Sequence, residues 1–81
     1  MSKKWQVYMG VAFETLEQWK EINSIALKIN PNYCGAGTGF DERDMDWEVE
    51  TKAKAESQKD ALEKAFNKAG YKRVRIHIFN D

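Results

Sequence analysis

Two segments of this chain carry charged side chains at every second position, a spacing that suits recognition of a charged partner. One segment is acidic and the other basic: Asp44, Asp46, Glu48 and Glu50, and then Arg73, Arg75 and His77. Because alternate residues of a β-strand point to the same face, each segment would line one face with its charges. Like charges so close together repel one another, which favours a cationic group beside the acidic segment.

Catalytic side chains are few. His77 is the only histidine and Cys34 the only cysteine. A histidine-rich zinc site is therefore excluded, and no nucleophile–base pair stands out. We expect Cys34 to be a small buried side chain and His77 to face water, with a general-base role for His77 as the remaining catalytic alternative. The sequence predicts a chain that is not an enzyme.

Residues 35–39 read Gly-Ala-Gly-Thr-Gly, which is superficially similar to a glycine-rich phosphate loop. Such a loop follows a strand and opens a helix. Here a predicted helix precedes it, an acidic turn follows it, and the lysine of a Walker motif is missing. The acidic cluster that follows lacks the glycine and terminal glutamate of an EF-hand loop: Asp41, Glu42, Asp44 and Asp46. We therefore expect no cofactor and no specific metal.

Length and composition predict one domain over residues 1–81 with a single core. The 13 Lys and Arg side chains balance 13 Asp and Glu, so net charge gives no general attraction to nucleic acid or to an anionic membrane. No apolar run approaches the ~18 residues needed to span a bilayer, and no signal peptide is evident. A single cysteine fits a reducing compartment. We expect a soluble, cytoplasmic protein.

Alternating hydrophobic residues predict strands at 5–13, 45–53 and 71–79. A weaker, glycine-rich edge strand is predicted at 33–40, followed by a turn at 41–44.

Two helices are predicted from their capping residues. Thr15 and Gln18 form a capping-box signature, so the first helix begins at about residue 16 and ends before Asn30-Pro31. The second helix is predicted from a weaker signal, Ser57 with Asp60, and ends at Gly70.

The order of these elements resembles the ferredoxin-like fold, a βαββαβ two-layer sandwich of the α+β class. The resemblance rests on the pattern of elements over the whole chain. It implies an antiparallel sheet in the order 4-1-3-2 with both helices on one face. Because this fold hosts many unrelated functions, function must be argued from the exposed residues.

The sheet face opposite the helices is expected to place the acidic and basic segments on either side of the first strand. That strand offers Tyr8 and narrows to Gly10, and the last strand is also expected to present Tyr71. In one interpretation the face is an ordinary solvated surface, and an arginine crosses the ~9–10 Å over Gly10 to a carboxylate. In the other, the separated charges bind a partner. The partner-binding candidates are Tyr8, Asp44, Asp46, Glu48, Glu50, Arg73, Arg75 and His77.

Nucleic-acid recognition is the main alternative. RNA-recognition domains resemble this architecture, but they carry stacking aromatic side chains where this chain has acids. The basic last strand, with Arg73 and Arg75, keeps nucleic-acid binding open. Alternate acids lie ~6.6–6.8 Å apart on a strand, close to the spacing of phosphates, so a DNA mimic is a further alternative. A net charge of zero weighs against it.

The sequence therefore predicts a small non-catalytic protein-binding module: an inhibitor, an adaptor or an accessory subunit, including a phage- or plasmid-encoded regulator of a host protein. Its expected partner is another protein. The apolar arc of the first helix is wide, so a homodimer that buries Ile25 or Leu27 is an alternative.

Overall fold

The structure, a computed structural model, describes residues 4–39 and 41–80. Its elements follow the predicted order: β1 (Trp5–Ala12), α1 (Leu16–Ile29), β2 (Gly35–Gly39), β3 (Glu42–Val49), α2 (Lys52–Ala69) and β4 (Val74–Asn80). The strands form one antiparallel sheet in the order β2-β3-β1-β4. The ferredoxin-like βαββαβ sandwich is confirmed. Phe40, the last residue of the predicted edge strand, lies outside the described residues.

β1 is a central strand because its alternating sequence gives it one fully apolar face. Val7, Met9 and Val11 are completely buried in the core. β1 pairs with β3 on one side and with β4 on the other. Its opposite face, with Tyr8 and Gly10, therefore runs along the middle of the sheet surface that the helices do not cover.

Helix α1 begins and ends where the sequence predicts. The Thr15 hydroxyl accepts a hydrogen bond from the Gln18 backbone N–H at 3.1 Å, and the Gln18 side chain accepts one from the Thr15 N–H at 3.3 Å. These reciprocal contacts satisfy backbone donors that the first turn leaves free. Ile22 and Ala26 are the residues of α1 that are fully buried.

Helix α2 begins earlier than the sequence predicted. The N-cap is Thr51, whose hydroxyl accepts a hydrogen bond from the Lys54 N–H at 3.1 Å, and the start inferred from Ser57 and Asp60 is wrong. Position 54 carries lysine where a capping box has Glu or Gln, so the local signal at Thr51 is incomplete. The helix ends as predicted at Gly70, which has a φ of 94°.

Strand β3 is displaced toward the N-terminus relative to its prediction. Asp41 has a φ of 58°, and the strand starts at the next residue, Glu42. The turn predicted over 41–44 is therefore too long. At its other end β3 stops at Val49, because Thr51 caps α2.

The core lies between the sheet and the two helices, and Trp47 and Phe66 are its largest fully buried side chains. The indole N–H of Trp47 donates a hydrogen bond to the Asn30 carbonyl at 2.8 Å, which joins β3 to the end of α1. Within the described ranges, no helix is long and apolar enough to cross a membrane.

Candidate functional site

Within residues 4–39 and 41–80, one face of the sheet is left uncovered, because both helices pack on the other face. We call this surface the open face. It is formed by the alternate side chains of β1, β3 and β4 and of the residue before β4: Gln6, Tyr8, Gly10, Ala12, Glu42, Asp44, Asp46, Glu48, Arg73, Arg75, His77 and Phe79. The predicted separation of charge is present, with acids on β3 and cationic side chains along β4.

The strand register places these side chains in rows across the sheet. Asp44 and Arg75 are both paired with Gly10, so an acid and a base flank the glycine. Asp46 and His77 are both paired with Tyr8, so one row carries an aromatic side chain at its centre. The open face therefore has a charged half around Gly10 and an aromatic half around Tyr8.

An ion pair crosses the charged half. Arg75 on β4 reaches over Gly10 to the carboxylate of Glu42 on β3, at 2.5 Å between Nη2 and Oε1. A Cβ at position 10 would lie 3.0 Å from that Glu42 oxygen, so the glycine keeps the crossing clear. The hydrogen bond from Arg75 holds the pKa of Glu42 below its usual value, and the same contact raises the pKa of Arg75. The expected crossing over Gly10 is confirmed, with a carboxylate that sequence analysis had placed in a turn.

Tyr8 is the centre of the aromatic half. Its ring stacks against His77, with ring centroids 6.3 Å apart and planes inclined by 22°. Its hydroxyl donates a hydrogen bond to Asp44 at 3.0 Å. Burial, followed by this hydrogen bond, raises the pKa of Tyr8 above its ordinary 10.0.

The end of the aromatic half is formed by Gln6, Glu48 and Phe79. The Gln6 amide donates a hydrogen bond to the Glu48 carboxylate at 3.2 Å. Phe79, paired with Gln6 in the register, is 47% exposed. A large apolar ring thus lies on the surface beside the Tyr8–His77 stack. His77 itself is exposed, as predicted.

Two residues expected on the open face lie elsewhere. Glu50 follows the end of β3 and pairs with Lys54 of α2 at 3.7 Å, so its placement with the acids of β3 is wrong. Tyr71 precedes β4 and is 8% exposed, and its hydroxyl donates to Glu21 at 2.6 Å. Both errors arose because the alternating pattern continues beyond the ends of the strands.

Glu42 is the residue of the open face that the sequence did not predict there. Gln6 and Phe79 lie on the face that the alternation of their strands predicts, but they were not among the partner-binding candidates. The alternation of acids, counted backwards from Asp44, reaches Glu42. A turn over residues 41–44 would leave Glu42 out of the strand, which is why the prediction missed it.

Strand β2 extends the sheet beyond β3 with almost no side chains. On the side of the open face it contributes three glycines, Gly35, Gly37 and Gly39, paired with Asp46, Asp44 and Glu42. A Cβ at Gly35 would lie 2.5 Å from an oxygen of Asp46, so that carboxylate leans over the glycine toward the edge of the sheet. Among the described residues, nothing lies within 4 Å of a Cβ at Gly37 or Gly39.

Cys34 directly precedes β2 and is exposed, so the expectation of a buried thiol is wrong. It lies next to the edge strand of the sheet. Within residues 4–39 and 41–80, no group of three or more His, Cys, Asp or Glu side chains is placed to hold a metal ion.

Comparison with known proteins supports the fold alone. No protein-family model and no curated protein sequence matches this chain. The crystal structure of a NIPSNAP family protein with unknown function, from Agrobacterium tumefaciens, is similar to it with a TM-score of 0.65. The similarity covers 99% of this chain and 89% of that chain at 7% sequence identity. At this identity the likeness shows the shared α+β sandwich alone.

Proposed function

We propose that this chain is a small, non-catalytic protein-binding module that acts through the open face as an inhibitor, adaptor or accessory subunit. The observation that carries the proposal is one uncovered surface that combines the Tyr8–His77 stack, the exposed ring of Phe79 and charges of both signs. Aromatic residues and arginine are enriched at protein interfaces, and complementary charge selects the partner.

Several side chains of the open face are already held in place. Tyr8 is fixed by Asp44, and Glu48 accepts a hydrogen bond from Gln6. Binding a partner therefore requires less ordering of side chains than a surface of free lysines would, and each immobilised side chain otherwise costs about 0.5–1.5 kcal/mol. This favours the open face as a preformed surface for a folded partner.

Other charges of the open face remain available to a partner. Within the part of the chain that the structure describes, the side chains of Asp46 and Arg73 make no hydrogen bond or ion pair. One lies on the acidic side and the other on the basic side, so the surface offers a charge of each sign. We expect a partner with the reverse arrangement of charge.

The nucleic-acid alternatives have weaker support. Arg75 is neutralised by Glu42, which leaves fewer cations for phosphates on β4 and fewer free acids for a DNA mimic on β3. Phosphate contacts would make binding steeply dependent on salt, which separates them from a protein partner. A phage- or plasmid-encoded regulator of a host protein is one role that the module would suit.

The proposal is tested by capture of the tagged protein from lysate of its native source, with and without nuclease. Glu48→Lys and Arg73→Glu alter the open face at exposed positions. Glu63→Lys and Lys68→Glu make the same charge changes on exposed positions of α2, away from the open face.

We expect one protein to be recovered by the native chain and by both α2 variants, with and without nuclease, and lost with Glu48→Lys or Arg73→Glu. Equal recovery of that protein by the native chain and by Glu48→Lys and Arg73→Glu would contradict the proposal. Recovery that disappears with nuclease would establish the nucleic-acid alternative instead.

A further inference from the structure

Strand β2 forms an edge of the sheet that nothing in its own sequence protects. Edge strands present unpaired backbone N–H and C=O groups, and proteins usually guard them with charged side chains or proline. β2 reads Gly-Ala-Gly-Thr-Gly, and β3 is its only strand partner within the described residues. Its residues are exposed from Ala36 to Gly39. An extended segment of another protein can pair with such an edge.

The edge is held in place from the helix side. The Thr38 hydroxyl accepts a hydrogen bond from the Trp19 indole N–H at 3.0 Å and another from the Arg43 guanidinium at 3.1 Å. Arg43 also lies over the Trp19 ring, 5.0 Å from its centroid. A glycine-rich strand would otherwise lose much of its order. The free edge is therefore presented as an extended strand.

On the open face, the charge beside this edge is negative, whereas Arg43 lies on the helix side. The glycines of β2 leave the surface open between the edge and the acids of β3, and the Asp46 carboxylate leans over Gly35 toward the edge. A strand added to β2 would lie two strand spacings from β3, about 9–10 Å. A cationic side chain on that strand would face Asp46 with only Gly35 between them. Asp44 lies toward Gly10 instead and accepts the hydrogen bond from Tyr8.

The protein already contains this arrangement on its other side. Arg75 lies two strands from β3 and reaches across Gly10 to Glu42. The glycines of β2 repeat the role of Gly10, but no strand of the described residues lies beyond them. The β2 edge therefore has acidic side chains on β3 and a path over glycine to reach them, but no strand beyond it among the described residues to supply a cation.

We propose that the free edge of β2 binds an extended, basic segment of a partner protein, whose alternate Arg or Lys side chains lie over the glycines and reach Asp46. The added strand would supply backbone pairing along β2, while its cationic side chains set register and specificity. This inference rests on the proposed function, because it names the class of segment that the bound protein would insert beside the open face.

The test uses the full chain labelled with ¹⁵N at glycine, which gives signals for five residues. Three report on β2, and two serve as internal controls on β1 and at the end of α2: Gly35, Gly37 and Gly39, and then Gly10 and Gly70. The probe is a blocked seven-residue peptide that alternates threonine and arginine. One matched peptide replaces arginine with glutamate. Another replaces threonine with proline, which keeps the charge but removes N–H groups needed for strand pairing.

We expect the threonine–arginine peptide to shift the β2 glycine signals and to slow exchange of their amide protons, with Gly10 and Gly70 unchanged. Neither matched peptide should do so. Asp46→Asn should weaken binding by about two- to fivefold, as loss of one exposed ion pair does, whereas Asp60→Asn on α2 should not.

Equal binding of the proline peptide, or shifts at Gly10 without shifts on β2, would overturn the proposal. Shifts of the β2 signals that depend on protein concentration without peptide would overturn it in favour of a second copy of this chain. Peptide binding at β2 without capture through the open face would contradict only the proposed function. Capture without peptide binding would contradict only this inference.

Discussion

Arg75 and Glu42 lie on strands separated by β1, and they form an ion pair across the surface of Gly10. The register pairs Arg75 with Gly10 and Glu42 with Ala12, so the contact is diagonal as well as crossing a strand. A larger side chain at position 10 would meet the Glu42 carboxylate. Because Gly10 has no side chain, Arg75 can reach across β1 and pair with Glu42.

Replacement of Arg75 by glutamine should change how stability depends on pH. The hydrogen bond from Arg75 holds the folded pKa of Glu42 below its ordinary 4.5. A lowered carboxyl pKa stabilises the fold above the unfolded value, and this contribution is lost as the pH falls through the folded value. The difference in unfolding free energy between the native chain and Arg75→Gln should thus be present at pH 7 and vanish in acid.

Urea denaturation from pH 7 to pH 3, with an NMR titration of the Glu42 carboxyl, measures both effects. The control is Lys68→Gln, which removes an exposed cation from α2. If the pKa of Glu42 is the same in the native chain and in Arg75→Gln, the ion pair does not persist in solution.

Truncation of Trp47 to alanine should remove most of the stability of the domain. Trp47 is completely buried, and its indole N–H donates to the Asn30 carbonyl. Large-to-small changes of a buried aromatic residue cost about 3–5 kcal/mol, a large share of the stability expected for a domain of this length. Trp47→Phe retains much of the volume and loses the hydrogen bond, and it should cost less. Urea denaturation followed by circular dichroism would contradict this if Trp47→Ala unfolded at the same midpoint as the native chain.

The fold could be predicted because its strongest signals are local. The alternation of Val7, Met9 and Val11 and the capping box of Thr15 with Gln18 each define an element without reference to the rest of the chain. The ends of β3 and the start of α2 could not be located in this way. The alternating pattern runs through Glu50, whereas the strand stops where Thr51 begins to cap the helix.

The sequence predicted most residues of the open face, but not which of them contact one another. Sequence alternation gives the face on which Asp44 or Arg75 lies, but not which acid an arginine reaches. That choice depends on strand register and on the diagonal path over Gly10, both of which are tertiary properties. Exposure of Cys34 and burial of Tyr71 likewise depend on which segments the helices cover.

Replacement of Tyr71 by phenylalanine should reduce the loss of stability at alkaline pH. Burial, and then the hydrogen bond to Glu21, raise the pKa of Tyr71 well above its ordinary 10.0. A raised folded pKa gives stability that is present below the unfolded value and is lost as the pH rises through the folded value. Tyr71→Phe keeps the edge-to-face contact with Phe66 and should cost about 0.5–1.5 kcal/mol at pH 7 for the lost hydrogen bond.

Above pH 10 the two chains should converge in unfolding free energy, which urea denaturation at pH 8 to pH 11 measures. Tyr33→Phe, at a position 46% exposed, is the matched control. If the difference in unfolding free energy between Tyr71→Phe and the native chain stays the same across this pH range, ionisation of Tyr71 does not cause the loss of stability in alkali.

Replacement of Thr38 by valine should loosen β2 while leaving most of the core intact. The Thr38 hydroxyl accepts hydrogen bonds from Trp19 and Arg43, and valine has the same shape without the acceptor. Because valine also favours strands, a change in local order would come from the lost hydrogen bonds rather than from strand propensity. We expect faster amide exchange at Gly35, Gly37 and Gly39, and a loss of about 0.5–1.5 kcal/mol in unfolding free energy per hydrogen bond removed.

Native-state hydrogen exchange followed by NMR measures this effect residue by residue. Ser24→Ala removes an exposed hydroxyl from α1 and serves as the control. Amides of β1, such as that of Met9, should exchange as slowly in Thr38→Val as in the native chain, after correction for global stability. Equal exchange of the β2 glycines in Thr38→Val and the native chain would mean that pairing with β3 alone keeps the edge extended, without the contact to Trp19.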